Sequence, residues 1–183
     1  KWGTVCAIWG LIAFTLAAAW YGSELPDVDQ AFNATRKPTV TVLAADGTVL
    51  ARSGDDYGRL ARLDQLPPSL PAAVLATEDR RFYSHFGIDL IGLARAMAAN
   101  VKARRIVQGG STITQQVAKN LFLTPERTIK RKFQELLLAL WLEQKFSKAQ
   151  ILSIYLNRVY LGSGTYGVDA AARKYFGRGA EKV

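Results

Sequence analysis

The chain opens with an uninterrupted apolar run. No charged residue occurs from Trp2 to Ser23, and tryptophans stand near both ends of the run. As a helix, 22 residues span roughly 33 Å, which matches a bilayer core of about 30 Å. We therefore predict a transmembrane anchor over residues 1–23, whereas a cleaved signal peptide, the alternative, usually has a shorter apolar core. Lys1 before the run and acidic residues after it favour a single-pass protein whose remaining chain lies outside the cytoplasm.

A linker with a short β-hairpin is predicted over residues 24–65. Residues 24–38 contain two prolines and no apolar period, which is typical of a connecting segment. Two β-branched runs follow, Val40 to Leu43 and Val49 to Leu50, on either side of Asp46-Gly47. That dipeptide favours a type I′ turn between paired strands.

From residue 66 onward the apolar positions recur at helical spacing. Such stretches run from Leu90 to Val101 behind a capping Asp89, from Ile129 to Leu140 behind Thr124-Pro125, and from Ile151 to Val159. The second stretch predicts a buried stripe of Ile129, Phe133, Leu136, Leu137 and Leu140. An alanine-rich stretch from Tyr166 to Phe176 predicts a last, closely packed helix. The pattern therefore indicates a mainly α domain over residues 66–183.

Composition narrows the class of partner. The 183 residues are 49% hydrophobic, which is enough for a core and excludes wholesale disorder. Lys and Arg number 24 against 15 Asp and Glu, a net charge of +9, so the expected partners are anionic: nucleic acid, a phosphate-bearing substrate or a membrane surface. The single cysteine, Cys6, excludes an internal disulfide framework and a multi-cysteine zinc site.

Candidate chemistry is concentrated between Glu78 and Gly87. The sequence EDRRFYSHFG places two adjacent carboxylates close to the only histidine, His85. Because Glu78 follows the apolar residues Val74 to Ala76, burial is expected to raise its pKa toward that of a base. The alternative is a surface cluster of charges that neutralise one another.

A second cluster is polar but uncharged. Five of the six residues from Ser111 to Gln116 carry a hydroxyl or amide, directly after the flexible pair Gly109-Gly110. These side chains could line a binding site, or they could form a polar helix N-terminus. The basic residues Lys102, Arg104 and Arg105 allow two interpretations as well, namely charges that favour a helix C-terminus or contacts to lipid headgroups.

A third cluster combines cations with a second carboxylate. Arg127, Arg131 and Glu135 follow one another at intervals of four, and Lys132 lies three residues before Glu135. On a helix these side chains share one face. They form either an ordinary surface ion-pair ladder or part of an anion site.

Five stretches together resemble glycosyltransferase family 51, the peptidoglycan glycosyltransferase domain of class A penicillin-binding proteins and monofunctional transglycosylases. They are EDRRFYSHFG (78–87), GGSTITQQVAKN (109–120), RKFQE (131–135), ILSIYLN (151–157) and GTYGVDAAARKYF (164–176). The resemblance implies a lysozyme-like helical domain beside the bilayer of a bacterial inner membrane. It also implies polymerisation of lipid II into β-1,4-linked glycan with inversion, assisted by Mg²⁺ or another divalent cation.

The same resemblance assigns roles by position. Glu78 is expected to be the general base and Glu135 the second acidic residue and metal ligand. The expected substrate-binding residues are Ser111, Thr112, Gln115, Gln116, Lys119, Arg127, Arg131 and Lys132. The expected supporting residues are Asp79, Phe82, His85, Gly87 and Asn157. For His85 a structural hydrogen bond is favoured over a role as base.

The expected partners are lipid II, the growing glycan strand, the membrane, cell wall synthesis proteins and moenomycin-like phosphoglycolipid inhibitors, but no nucleic acid. The family domain normally extends past the last motif, so a C-terminally truncated domain is expected. No Ser-x-x-Lys motif for a transpeptidase nucleophile occurs. Two other classes compete. A lysozyme-like hydrolase would not need the cations near Glu135, and a membrane-tethered basic binding module would not need the carboxylates.

Overall fold

The protein is mainly α-helical. The computed structural model describes residues 2–23, 40–54, 56–124, 126 and 128–183. In these ranges the helices are α1 (Trp2–Ser23), α2 (Ser69–Glu78), α3 (Leu90–Ala103), α4 (Ile113–Phe122), α5 (Ile129–Lys145), α6 (Lys148–Arg158) and α7 (Val168–Phe176). Short 3-10 turns lie at Leu63–Gln65, Phe82–Ser84 and Ala180–Lys182. The helical class predicted for residues 66–183 agrees with this architecture.

Helix α1 coincides with the segment predicted to be transmembrane. The side chains at positions 7, 11, 13–14, 17–19 and 21–23 lie outside the described part of the structure. Among the residues that are described, no helix has the length and apolar character needed to cross a membrane. The predicted helix is therefore present, and the predicted membrane crossing is not confirmed.

Strands β1 (Val40–Leu43) and β2 (Val49–Ser53) pair antiparallel, with a register shift between Val42 and Leu43. The connection differs from the predicted two-residue turn at Asp46-Gly47. Gly47 N–H donates to Ala44 O at 3.0 Å, so the turn runs from Ala44 to Gly47, with φ +84° at the glycine. Asp46 instead accepts from Thr48 N–H at 2.9 Å. Aspartate favours such local bonds, and this shifts the dipeptide along the turn.

The core lies where α4, α5 and α6 pack together. Its most buried side chains, each at most 1% exposed, are Phe82, Ile113, Val117, Leu138, Leu142, Ile151, Leu152 and Leu156. The N-terminal ends of α4 and α6 are well defined in sequence: Thr112 with Gln115 and Ser147 with Gln150 form capping boxes. These caps fix where the helices begin, and therefore where the polar side chains of α4 stand.

Helix α5 buries a different face from the one predicted. Its buried residues are Gln134, Glu135, Leu138, Ala139 and Leu142, whereas Ile129 is 91% exposed. The helix begins after Thr128, whose hydroxyl accepts from Arg131 N–H, rather than at Thr124. The apolar pattern pointed elsewhere because two of the buried positions are polar, and one of them, Glu135, places a candidate site carboxylate in the interior.

Helix α3 contributes little to the core. Only Ala96 is buried, while Leu90, Met97 and Val101 are more than half exposed. Asp89 stands at the N-cap position without capping through its side chain; its carboxylate lies 3.4 Å from Arg81 Nε instead. The apolar periodicity of this helix therefore predicts the helix correctly without marking a buried face.

Asn157 and Asp169 fasten the segment before α2 to the helical core. The Asn157 side chain accepts from Ala61 N–H at 2.8 Å and donates to Ala61 O at 2.9 Å. Asp169 accepts from Arg59 N–H, from Arg173 Nε and from Ala180 N–H. These bonds give the buried side chain of Asn157, predicted as supporting, a definite structural task.

Candidate active site

Adjacent carboxylates at the end of α2 occupy opposite environments. Glu78 is the last helical residue and is exposed, whereas Asp79 is 6% exposed. The expectation that apolar neighbours bury Glu78 is wrong, because α2 has no buried residue and Val74 is only partly buried. The first motif therefore offers one accessible carboxylate and one enclosed carboxylate.

Asp79 ties the first motif to α4. His85 Nε2 lies 3.0 Å from both Asp79 carboxylate oxygens, and Ile113 N–H donates to Asp79 Oδ2 at 3.1 Å. The His85 side chain is only 5% exposed. This geometry is that of a structural hydrogen bond, in which the histidine holds the carboxylate that anchors the start of α4.

Phe82 and Gly87, in the same motif, contact residues outside it. Phe82 is 1% exposed, and Lys148 Nζ lies 4.4 Å from the centre of its ring. Gly87 has φ +76°, and its carbonyl accepts from Thr112 Oγ1 at 2.6 Å. A Cβ at Gly87 would come within 3.2 Å of Ala139 O, so a side chain is disfavoured there by conformation and by space.

Glu78 is held by a side chain from α4. Gln116 Nε2 donates to Glu78 Oε2 at 2.8 Å. Glu78 lies between two openings: a cavity of about 80 Å³ that also contains Ser111 and Thr112, and an apolar groove of about 510 Å³ that also contains Tyr155. An accessible carboxylate fixed by one hydrogen bond is well placed to accept a proton from a bound hydroxyl.

The second carboxylate, Glu135, is 2% exposed and lies among cations. Arg131 Nη1 donates to Glu135 Oε2 at 2.8 Å, and Lys132 Nζ forms a close ion pair with Glu135 Oε1. Lys132 Nζ also donates to Ser111 Oγ at 3.1 Å and to Gln115 Oε1 at 3.4 Å. The spacing-based prediction of a shared face is confirmed for these three charges, and Lys132 connects that face to the polar start of α4.

Cations surround a cavity of about 520 Å³ beside this network. Its lining includes Lys119, Arg131 and Arg158. Arg131 Nε is buried and has no hydrogen-bond partner among the residues that the structure describes. A buried guanidinium donor without a partner is costly, which favours an anionic ligand in this cavity.

The aromatic wall of that cavity was not predicted. Tyr57, Tyr160 and Tyr166 line it, and the Tyr57 and Tyr166 rings stack at a centroid distance of 5.1 Å. The sequence pattern did not single out Tyr57, Tyr166 or Arg158 as site residues. Arg158 ends α6, and a basic residue there is explained equally well by the helix dipole.

The predicted substrate-binding residues fall into connected groups. Ser111, Gln115 and Lys132 meet at Glu135, Gln116 meets Glu78, and Lys119 shares the cavity with Arg131. Thr112 is buried in its capping box, so the helix N-terminus interpretation applies to it and, in part, to Gln115. Arg127 lies outside the described residues, so its predicted role in substrate binding stays a prediction.

A metal site built by protein side chains does not fit the described residues. Both oxygens of Glu135 are engaged by Arg131 and Lys132. Within the described ranges, no group of three or more His, Cys, Asp or Glu side chains could hold a metal ion. The described surroundings of Glu135 supply positive charge where a metal site would supply further carboxylates.

Comparisons with known proteins support the family resemblance of the five motifs. A family model described as "Transglycosylase" matches residues 46–183. "Penicillin-binding protein 1A" of Aquifex aeolicus (strain VF5) is 46% identical over 177 residues, which cover 96% of this chain and 24% of that protein. The proteins of that name in Escherichia coli (strain K12) and Neisseria flavescens are each 43% identical, over 87% and 92% of this chain and 19% and 21% of their own lengths. The chain thus spans about a fifth to a quarter of these relatives.

Proposed function

Because this chain belongs to the transglycosylase family, we propose that it carries the active site of a peptidoglycan glycosyltransferase. The proposed reaction polymerises lipid II into β-1,4-linked glycan strands, inverts the anomeric carbon and releases undecaprenyl pyrophosphate. The observation that carries the proposal is the contrast between an accessible Glu78 and a buried Glu135 whose oxygens are both paired with cations.

Glu78 is the proposed general base. It would take the proton from a sugar 4-hydroxyl as that oxygen attacks the anomeric carbon of the donor. The Gln116 amide donates to one carboxylate oxygen, which supports the ionised form and limits the side chain to one position. Accessibility from two sides leaves room for an acceptor sugar beside Glu78.

The cations near Glu135 are the proposed site for the leaving group. As the glycosidic bond to the pyrophosphate breaks, negative charge grows on the phosphate oxygens, and fixed cations stabilise it. Arg131 is suited to bidentate contact with phosphate and has a buried nitrogen still available, and Lys119 lines the same cavity. Glu135 would hold Arg131 and Lys132 in place without itself exchanging a proton.

The substrate and the surface of α3 support action at a membrane. Lipid II carries its pyrophosphate on a polyprenyl chain, so we place the reaction on the extracytoplasmic side of a bacterial cytoplasmic membrane. Exposed Leu90, Met97 and Val101, with Lys102 beside them, suit an interface between lipid and water. Phosphoglycolipids that mimic the donor would compete for the same cations.

A divalent cation is a further part of the proposal, with the substrate rather than the protein as its main ligand. Mg²⁺ commonly binds substrate phosphates and keeps several of its waters. Polymerisation measured with Mg²⁺ and with a chelator tests this point separately from the roles of Glu78 and Glu135.

The decisive experiment uses full-length protein and labelled lipid II. Glu78→Gln should lower the rate of polymer formation by about 100- to 10,000-fold, because the amide keeps the shape and loses the basicity. The binding of a fluorescent phosphoglycolipid should stay. The matched control is Glu181→Gln, an exposed glutamate in the last 3-10 turn.

Near-normal polymerisation by folded Glu78→Gln would contradict the assignment. Release of fragments from finished peptidoglycan, without polymer from lipid II, would indicate the hydrolase instead. A hydrolase on this fold would use Glu78 but has no evident need of the three cations around the neighbouring cavity.

A further inference from the structure

Tyr155 lies behind the candidate base and is connected to it through one side chain. It belongs to α6, is 4% exposed and lines the apolar groove that Glu78 also lines. Its hydroxyl lies 3.4 Å from Gln116 Oε1, while Gln116 Nε2 lies 2.8 Å from Glu78 Oε2. The three side chains come from α6, α4 and α2, which are far apart in sequence.

The chemistry of the two outer groups decides the orientation of the amide between them. Burial, and then the negative charge of Glu78, raise the pKa of Tyr155, so the phenol stays protonated and donates. The ionised Glu78 carboxylate can only accept. An amide between a donor and an acceptor satisfies both in one orientation, with Oε1 toward Tyr155 and Nε2 toward Glu78.

We propose that Tyr155 is a positioning residue for Glu78, acting through the amide of Gln116. This inference rests on the proposed role of Glu78 as base. Tyr155 keeps the amide from turning over, and the amide in turn occupies Glu78 Oε2. Glu78 Oε1, which accepts no hydrogen bond from the residues that the structure describes, is left to face the substrate hydroxyl.

Without the phenol hydroxyl, the amide of Gln116 would be free to turn its oxygen toward the carboxylate. The hydrogen bond that supports ionised Glu78 would then be exchanged for repulsion between two oxygens. The result expected is a carboxylate that is less well placed to accept the proton of the substrate hydroxyl.

Other charged groups also lie near Glu78. The small cavity on its other side is lined by Asp79, Arg80, Asp89 and Arg95. Asp79 is engaged by His85, and Asp89 lies near Arg81. Among the residues that the structure describes, none of these four groups is hydrogen-bonded to the Tyr155 hydroxyl, so removing that hydroxyl changes the surroundings of Glu78 mainly through Gln116.

The test is Tyr155→Phe in full-length protein that polymerises lipid II. We expect kcat to fall about three- to tenfold, the loss of roughly one hydrogen bond, with KM unchanged. The acidic limb of the pH–rate profile should move to higher pH. Tyr175→Phe is the matched control, because it also removes a phenol hydroxyl that donates to another group, here Leu161 O, and no hydrogen bond among the described residues connects that hydroxyl to Gln116 or Glu78.

A double-mutant cycle separates positioning from packing. In a Gln116→Ala background, Tyr155→Phe should have no further effect on kcat or on the pH profile, because the connecting amide is gone. Equal effects of Tyr155→Phe with and without Gln116 would overturn the inference. So would a wild-type pH profile and kcat in folded Tyr155→Phe.

An NMR experiment tests the role of Tyr155 without the polymerisation reaction. In full-length protein labelled with ¹³C-glutamate, the Glu78 carboxyl signal is the one lost in Glu78→Gln. Its chemical shift at neutral pH should change in Tyr155→Phe and stay the same in Tyr175→Phe. Failure of wild-type protein to polymerise lipid II would refute the proposed function, whereas an unchanged Glu78 chemical shift in Tyr155→Phe would refute the role of Tyr155.

Discussion

Replacing Glu135 with glutamine should both destabilise the fold and stop turnover. The carboxylate is 2% exposed, and it alone among the described residues forms ion pairs with both Arg131 and Lys132. The glutamine keeps the volume of the side chain but removes the charge that these cations share. The variant therefore tests what Glu135, a buried carboxylate that is not the proposed base, contributes to stability and to turnover.

The magnitude follows from the exposure of the partners. Breaking a buried ion pair from one side costs about 3 to 5 kcal/mol, because a charge is left uncompensated. Lys132 has a side chain that is 44% exposed and can be hydrated, whereas that of Arg131 is 16% exposed. The glutamine oxygen still accepts from Arg131. We therefore expect a loss at or just below the low end of that range, about 2 to 3 kcal/mol of unfolding free energy.

We expect Glu135→Gln to lower the rate of polymer formation strongly even in the molecules that remain folded. With Glu135 neutral, Arg131 and Lys132 lose the group that fixes them, and charge stabilisation of the leaving pyrophosphate depends on donors that are already in place. Losing one such preorganised contact typically costs about 100-fold or more in rate. Polymer formation per folded molecule should drop by at least that factor.

Helix α5 supplies a matched control two turns further on. Glu143 also has a side chain that is 3% exposed, and it accepts from Thr114 Oγ1 at 2.6 Å and pairs with Lys148 at 2.7 Å. Glu143→Gln should lose comparable stability in urea titrations but keep its rate of lipid II polymerisation per folded molecule. Equal rates for folded Glu135→Gln and Glu143→Gln would refute a special role for the cations at Glu135.

Two further predictions concern stability. Burial alone would raise the pKa of Asp169, but hydrogen bonds from Arg173 and from backbone N–H groups hold that pKa below its usual value. The stability that Asp169 contributes is therefore present at neutral pH and is lost as the pH falls through its folded-state pKa. Asp169→Asn should flatten the acid side of a plot of unfolding free energy against pH. Gly167→Ala should cost about 2 kcal/mol or more in urea titrations, because φ is +84° and the new Cβ would lie 2.8 Å from Asn157 O, whereas Gly164→Ala, with φ +73° and open space, should cost only the conformational strain of about 1 kcal/mol.

Local patterns in the sequence were enough for the helices and for the charged face of α5. Capping residues, turn formers and helical periodicity act over a few residues, and Thr112 and Ser147 mark locally where α4 and α6 begin. The pairing of Arg131 and Lys132 with Glu135 is equally local, since it needs only spacings of four and three on one helix.

Burial was harder to predict because it is decided by partners remote in sequence. Glu135 is buried because Lys132, which pairs with it, also donates hydrogen bonds to Ser111 and Gln115, about 20 residues earlier in the sequence. Glu78 is exposed although apolar residues precede it, since α2 packs without any fully buried side chain. Periodicity treats a polar residue as a surface residue, so it placed the buried stripe of α5 on the wrong face. The Tyr155 contact with Gln116 spans 39 residues and leaves no local signal at all.

The two neighbouring carboxylates of the first motif owe their different tasks to a single helix. Asp79 accepts from Ile113 N–H in the first turn of α4, and Glu78 accepts from Gln116, one turn along the same helix. Because α4 is rigid and capped at Thr112, fixing Asp79 at its start also fixes the point at which Gln116 meets Glu78. The buried carboxylate thus fixes the position of the exposed one, and Glu78, the proposed base, is positioned without being buried. This arrangement explains why two acidic residues stand side by side where one would suffice for chemistry.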